Sequence, residues 1–232
     1  MSVNLELRKR LILNDVDIDA SKLSSIGAID VSYSKHDLST AVTTLVVLND
    51  RLELIYSHSS TINDLTTPYI PGFLAFRELE YLKKEVDLLR ETKSHLMPDI
   101  WLVDGNGILH RNGFGLASHF GVACDLVTIG VSKNPYIFDC SELSKRSAKN
   151  QYKILMKTLK NVGDYFYISH PIDKTILGVG LKTTLESTNP IFVSIGHKCS
   201  LNTAIAITLK CCKYRIPEPI RFADSISRRH LI

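Results

Sequence analysis

The amino-acid sequence predicts an α/β protein with a mixed central sheet flanked by helices, and three observations carry that prediction. Three segments rich in Val, Ile, Leu and Thr follow one another early in the chain, separated only by polar turn-formers. A helical repeat of apolar residues comes next. Two short, wholly apolar runs then alternate with helical segments, the pattern of strands buried on both faces of a sheet.

The three early segments are Ser24 to Ser34, Ala41 to Leu48 and Leu52 to His58, with Lys35-His36-Asp37 and Asn49-Asp50 as turns, which reads as a three-stranded antiparallel meander. Beyond a loop punctuated by Pro and Gly, Phe76, Leu79, Leu82, Val86 and Leu89 recur at steps of three and four. That spacing marks an amphipathic helix from about Phe73 to Arg90, and Pro98 closes the region. Ile100-Trp101-Leu102-Val103, ended by Asp104-Gly105, reads as a strand buried on both faces and parallel to its predecessor. A short helix near Leu116 to Val122 and a strand from Leu126 to Val131 repeat the alternation. Three strands, helix, strand, helix, strand is a ribonuclease H-like order.

Ser141 to Lys160 is polar and lysine-rich, with Ile154, Leu155 and Leu159 suggesting a partly packed helix. Thr175 to Leu181 and Pro190 to Ile195 read as further strands. Leu201 to Tyr214 reads as a helix with Ser200 as candidate N-cap, stopped by Pro217 and Pro219. A last amphipathic piece, Ile220 to Arg229, carries Arg221, Arg228 and Arg229. No internal repeat or low-complexity segment interrupts the chain and nothing before Ser141 reads as a linker, so one domain over residues 1–232 is the expectation.

Apolar residues make up 44% of the chain and are dispersed among charges. They suffice for a core, and no run approaches the ~20 residues of a membrane span. Met1 to Ala20 sets Leu11-Ile12-Leu13 between Arg8-Lys9-Arg10 and Asp15 and Asp17, too short an apolar core for a secretory signal. An intracellular protein is expected, in the cytoplasm or the nucleus, the nucleolus included. The 5 cysteines are odd in number and contain no Cys-x-x-Cys pair, so they read as reduced thiols, Cys211 and Cys212 as small buried side chains. A net charge of +4 permits a polyanionic partner without demanding one.

Asp30 lies inside the first apolar strand, where a charge is costly unless something compensates it; a bound cation would, but so would solvent or a backbone N–H. Asp104 ends a buried strand, and side chains at such carboxyl ends point into the crevice where open α/β sheets bind ligands. Gly105 and Gly107 follow it, either to let backbone approach a substrate or to make a plain tight turn. Glu78 precedes Leu82 by four residues, Val86 by eight and Leu89 by eleven, on or beside the apolar stripe of its helix. It could pair outward with Arg77 or Lys83. Three inward acids from a strand, a helix and a second strand would instead supply hard oxygen ligands suited to Mg²⁺ or Mn²⁺ and not zinc. His197 and Lys133 are further candidates, although a lone His or a strand-end Lys is more often structural.

The segment Pro68-Tyr69-Ile70-Pro71-Gly72-Phe73-Leu74-Ala75-Phe76-Arg77-Glu78 resembles the Pro-Tyr-x-x-Gly loop and Phe-Arg-Glu of endonuclease V. Val103-Asp104-Gly105-Asn106-Gly107-Ile108-Leu109-His110 with Gly113-Phe114-Gly115-Leu116-Ala117-Ser118-His119 is similar to the family's Asp-Gly-x-Gly-x-x-His block. Gly27 to Tyr33, Gly130-Val131-Ser132-Lys133, Gly196-His197 with Ser200-Leu201, and Arg215-Ile216-Pro217-Glu218-Pro219 continue the likeness in order, from about Ser24 to Arg229. Arg111-Asn112 departs from the basic pair the family often carries after His110.

The resemblance implies a ribonuclease H-like fold in which Asp30 and Asp104 hold the metal, Mg²⁺ with Mn²⁺ able to substitute. Glu78 and His197 would act around it through bound water, and Lys133 would hold the phosphate being cut. Pro68, Tyr69, Ile70 and Pro71 would form a wedge that separates bases, and His110 a backbone contact. Gly72 and Gly105, lacking Cβ, would admit a flipped hypoxanthine beside Leu74 as an apolar wall. The implied reaction is hydrolysis of the second phosphodiester 3′ to inosine, leaving 3′-hydroxyl and 5′-phosphate ends. The wording of the motifs is closest to animal members, so single-stranded RNA is the expected partner and a monomer the expected state. A repair enzyme for deoxyinosine-containing DNA and a non-catalytic inosine-binding module are the alternatives.

Overall fold

The computed structural model describes every residue except Met1, Asp17, Leu38, 64–73, Pro135, Ile137, 139–141 and Ile232. After helix α1 (Ser2–Lys9), strands β1 (Ser25–Tyr33), β2 (Ala41–Asn49) and β3 (Leu54–Ile62) form the expected meander, each antiparallel to the one before. Helix α2 (Leu74–Lys93) returns the chain to β4 (Ile100–Asp104), which pairs in parallel with β1. Helix α3 (Leu116–Cys124) leads to β5 (Thr128–Ser132), parallel to β4. Helix α4 (Glu142–Thr158) and strands β6 (Tyr165–Ser169), β7 (Ile176–Leu181) and β8 (Ile191–His197) come next, then α5 (Leu201–Lys210) and α6 (Glu218–Arg229). The eight strands make one sheet in the order β3-β2-β1-β4-β5-β8-β7-β6, mixed because β8 runs antiparallel to β5. This is the ribonuclease H-like arrangement that the strand order predicts.

Alternation along the central strands sorts their side chains onto two faces. Ile26, Ala28, Ile100, Leu102, Ile129 and Val131 pack in one core with Ala204 and Ile207 of α5 and Ile220 and Ala223 of α6. Ile29, Trp101 and Val103 face the other way, against Leu82, Val86 and Leu89 of α2 and Ala117 and Phe120 of α3. The Trp101 ring meets Phe120 edge-on at 5.8 Å. Truncating Phe120 in such a core costs about 3 to 5 kcal/mol. A third cluster, Leu109, Ile168, Leu177 and Phe192, seats Tyr152 of α4.

Two elements, α1 and β6, are missing from the sequence expectation. Helix α1 carries few apolar residues, and the segment after it ties it to the body: Lys198 N–H donates to Ile12 O at 2.8 Å and Val16 N–H to Lys198 O at 3.2 Å. Strand β6 is an edge strand with mostly exposed or half-exposed side chains, so it lacks a buried run to betray it. After β4 the chain crosses β5 closely, which requires Gly130: a Cβ there would lie 2.3 Å from Gly107 N. Gly107 serves this crossing, donating its N–H to Ser194 Oγ at 2.9 Å.

Candidate active site

Strands β1, β4 and β5 run in one direction, so their carboxyl ends gather at one edge of the sheet. Continuing the alternation, Asp30 follows Ile26 and Ala28, Asp104 follows Ile100 and Leu102, and Lys133 follows Ile129 and Val131, each onto the face covered by α6. The parallel register that pairs Ala28 with Leu102 brings Asp30 beside Asp104. Helix α6 lays Ile220, Ala223 and Ser227 on the sheet, and that same stripe includes Asp224. Asp30, Asp104 and Asp224 each offer a carboxylate oxygen within 4.8 Å of the others. Sequence reasoning misses Asp224, although its place four residues after Ile220 on an apolar stripe is the signal that singles out Glu78.

The acids are held by neighbours of two kinds. Ser227 Oγ lies 2.9 Å from Asp30 Oδ2 and 2.7 Å from Ser32 Oγ, which is itself 3.1 Å from that oxygen. Lys133 Nζ donates to Asp104 Oδ2 at 2.6 Å and stands 3.6 Å from Asp224 Oδ1, which Arg228 also contacts at 2.9 Å. Burial raises the Asp30 carboxyl above its ordinary range, with Asp104 adding to it. Burial likewise raises Asp104, against the pull of the Lys133 ammonium. Burial disfavours charge on Lys133 too, but Asp104 and Asp224 outweigh it and keep the ammonium protonated.

Glu78 enters from the start of α2. It is buried and accepts a hydrogen bond from the Tyr33 hydroxyl, whose ring carries the Arg77 guanidinium 4.6 Å above its centre. Burial pushes Glu78 up to about 8, Tyr33 lowering it and Asp30 adding to the rise. Burial and the Glu78 charge raise the Tyr33 hydroxyl, which therefore remains a donor. Asp30, Tyr33, Glu78, Asp104, Lys133 and Asp224 line one cleft of about 950 Å³. Three oxygen-only ligands, two of them raised by burial, fit a hard divalent cation, whose charge would offset the repulsion between Asp30 and Asp104.

Of the residues singled out in the sequence, Asp30, Glu78, Asp104 and Lys133 meet in this cleft, and Gly105 adjoins it beside Leu116. His197 does not reach it. Strand β8 runs against β5 and pairs His197 with Thr128, at the opposite end of the sheet. There the buried ring accepts the Ile12 N–H on Nδ1 at 3.2 Å, and burial lowers its pKa to about 4. His110 is buried against Tyr136, accepts Asn112 N–H on Nδ1 at 3.3 Å, and does not line the cleft. Pro68, Tyr69, Ile70, Pro71 and Gly72 lie outside the described residues, as does the side chain of Leu74. Cys124, Cys199, Cys211 and Cys212 are free thiols, and burial raises the first three to about 11, 12 and 12.

A ribonuclease H-like sheet that presents three carboxylates and a lysine at the carboxyl ends of its parallel strands defines a metal-dependent phosphodiester-cleaving nuclease. Within that class the chain belongs to the Endonuclease V family, whose sequence model matches residues 5–225. It is 43% identical to human Endonuclease V over 212 residues, 91% of this chain and 73% of the human one. Mouse Endonuclease V is 42% identical over 216 residues, 93% of this chain and 62% of its own length. A solved Endonuclease V from Ciona intestinalis, in complex with a 24mer DNA containing an inosine followed by a ribo-adenosine, superimposes with a TM-score of 0.90 at 39% identity, covering 99% of this chain and 95% of that one.

Proposed function

We propose that the protein hydrolyses the second phosphodiester 3′ to inosine in single-stranded RNA, leaving 3′-hydroxyl and 5′-phosphate ends, with Mg²⁺ as its metal and Mn²⁺ able to substitute. The observation that carries this reading is the cluster of Asp30, Asp104 and Asp224 with Lys133 in one cleft. A hard cation held by the three carboxylates would supply the charge that activates water and stabilises the leaving oxygen. Lys133, an ammonium within reach of Asp104 and Asp224, neutralises the phosphate being cut. The Tyr33 hydroxyl donates to one oxygen of Glu78 and so fixes the carboxyl at the edge of the cluster. The wedge of Pro68 to Pro71 and a base pocket of Gly72, Leu74 and Gly105 complete the reading, as does an intracellular monomer, cytoplasmic or nuclear.

Cleavage of deoxyinosine-containing DNA is the second reading, favoured by the DNA strand bound to the Ciona relative. The same strand carries a ribose directly after its inosine. A 2′-hydroxyl is what lets a protein tell RNA from DNA at one position. The test compares an all-deoxy inosine strand with one bearing a single ribonucleotide on the 5′ side of the cut. Much faster cleavage of the second supports the RNA reading, and equal rates favour DNA repair. In the same assay Asp30→Asn, Asp104→Asn and Asp224→Asn should abolish cleavage while the protein stays folded, because an amide is a poor ligand for a hard cation. Glu78→Gln should retain some turnover in Mn²⁺. Near-normal turnover by Asp104→Asn would refute the site, and binding of inosine strands without cleavage would mark a non-catalytic module.

A further inference from the structure

A second hollow of about 230 Å³ adjoins the catalytic cleft and shares Lys133 and Asn134 with it. Its other walls include Tyr152 and Lys153 of α4, Pro190 and Arg215. Arg215 is committed to the wall: its Nη2 donates to Lys133 O at 2.8 Å and Pro190 O at 2.9 Å, and its Nε to Asn189 O at 3.1 Å. Tyr152 is fixed as well, stacked on Phe166 at 5.8 Å and edge-on to Phe192 at 5.4 Å. Lys153 is different. It is exposed at the mouth and, among the described residues, joins no ion pair.

The charge of the molecule points to the same place. Five of the 28 basic residues and one of the 24 acidic ones lie on α4, which leaves 23 of each sign elsewhere. The whole net charge of +4 therefore resides on this helix. Lys145, Lys149, Lys153 and Lys157 recur every fourth position along it, spaced about 6 Å apart in axial rise. Such a row is unneeded for folding, since α4 packs through Tyr152 and its apolar neighbours. It costs self-repulsion unless a polyanion lies along it.

We propose that this hollow, with Lys153 and Lys157 of α4, forms a second subsite, which binds the phosphodiester backbone of the substrate strand outside the cut, independently of base sequence. The subsite rests on the nuclease reading of the adjoining cleft and adds to it where the strand runs. Lys133 marks the junction: it lines both hollows, with its ammonium on Asp104 and its carbonyl held by Arg215.

The experiment measures binding of a long inosine-containing single strand, in chelator so that no cleavage occurs, across a salt series. Each phosphate contact contributes about 0.7 to the slope of log affinity against log salt for a single strand. Lys153→Ala should therefore reduce that slope by about 0.7 and Lys153→Ala with Lys157→Ala by about 1.4. Lys22→Ala, which removes a charge preceding β1 at the opposite end of the sheet, should leave the slope unchanged. With metal restored, the double variant should raise KM and spare kcat on the long strand. On substrates shortened separately from each end, its effect should vanish along one series and so assign the side of the cut. Unchanged slopes, or an equal loss from Lys22→Ala, would overturn the subsite. A parent protein that ignores inosine strands would instead refute the function proposed for the cleft.

Discussion

At the scale of single residues, one oxygen of Asp30 is held by two hydroxyls, those of Ser227 and Ser32. Ser227 is fully buried, three positions after Asp224 on α6, so one turn of helix supplies both an acid and the hydroxyl that orients a second acid. Groups that orient metal ligands are worth about 10- to 100-fold in metal affinity. Ser227→Ala should weaken Mg²⁺ or Mn²⁺ binding by that order in calorimetric titration and leave the fold intact, whereas unchanged affinity would reduce Ser227 to a packing residue. Asp104 and Lys133 were legible because each ends a short apolar run, and Asp30 because it is a charge inside one. Asp224 was not, because its helix reads first as a carrier of arginines and its acid is drawn into the site only once the sheet lies beneath it. His197 gives a prediction of another kind. Its folded pKa of about 4 lies below the ordinary 6.5, so the unfolded chain takes up the proton first and stability is lost as pH falls from about 6.5 to 4. Glu78 works in the opposite sense: raised from 4.5 to about 8, it stabilises at low pH and loses that contribution as pH rises through 8. The comparison must therefore be between proteins. His197→Asn keeps an acceptor for the Ile12 N–H without titrating. Between pH 7 and 5 in chelator the parent should lose about 1 to 2 kcal/mol more than this variant in denaturant unfolding. Parallel losses would show that the buried ring does not titrate.

At the scale of elements, strand direction separated what could be read from what could not. Apolar periodicity placed β1 to β5, β7 and β8, together with α2, α3 and α5, within a few residues. It says nothing of whether β8 ascends or descends, and that direction carried His197 away from the acids. Helix α5 shows how a distant residue can finish an element. Ser200 caps it as expected, accepting Thr203 N–H, but Asp15 also accepts the Ser200 N–H at 2.7 Å and the Thr203 hydroxyl at 2.9 Å. A carboxylate at that end meets the positive pole of the helix. Asp15→Ala should cost about 1 kcal/mol in denaturant unfolding with the cleft undisturbed. A loss below a few tenths would mean that Ser200 suffices alone. Strand β6 depends on its neighbour in a similar way, since a Cβ on Gly180 would stand 2.2 Å from the Phe166 ring that crosses it. Nothing in the run Tyr165 to Ser169 announces that pairing.

For the molecule as a whole, the catalytic cleft is assembled from both ends of the chain and from both faces of the sheet. Strands β1 and β4 bring two acids, α2 brings Glu78 from one side, and α6 brings Asp224 and Ser227 from the other. The sheet's order was legible because short apolar strands and amphipathic helices leave few ways to stack, but the closing of the cleft by α6 is a tertiary event without a local mark. It has a consequence for the order of synthesis. The ribosome finishes the sheet, with Asp30 and Asp104 already in place, before it makes Asp224. Throughout that interval the cluster has two of its three carboxylates, and the third arrives only with α6. Nascent chains stalled before Glu218 should cut no inosine strand, and the same chains extended past Arg229 on a flexible tether should.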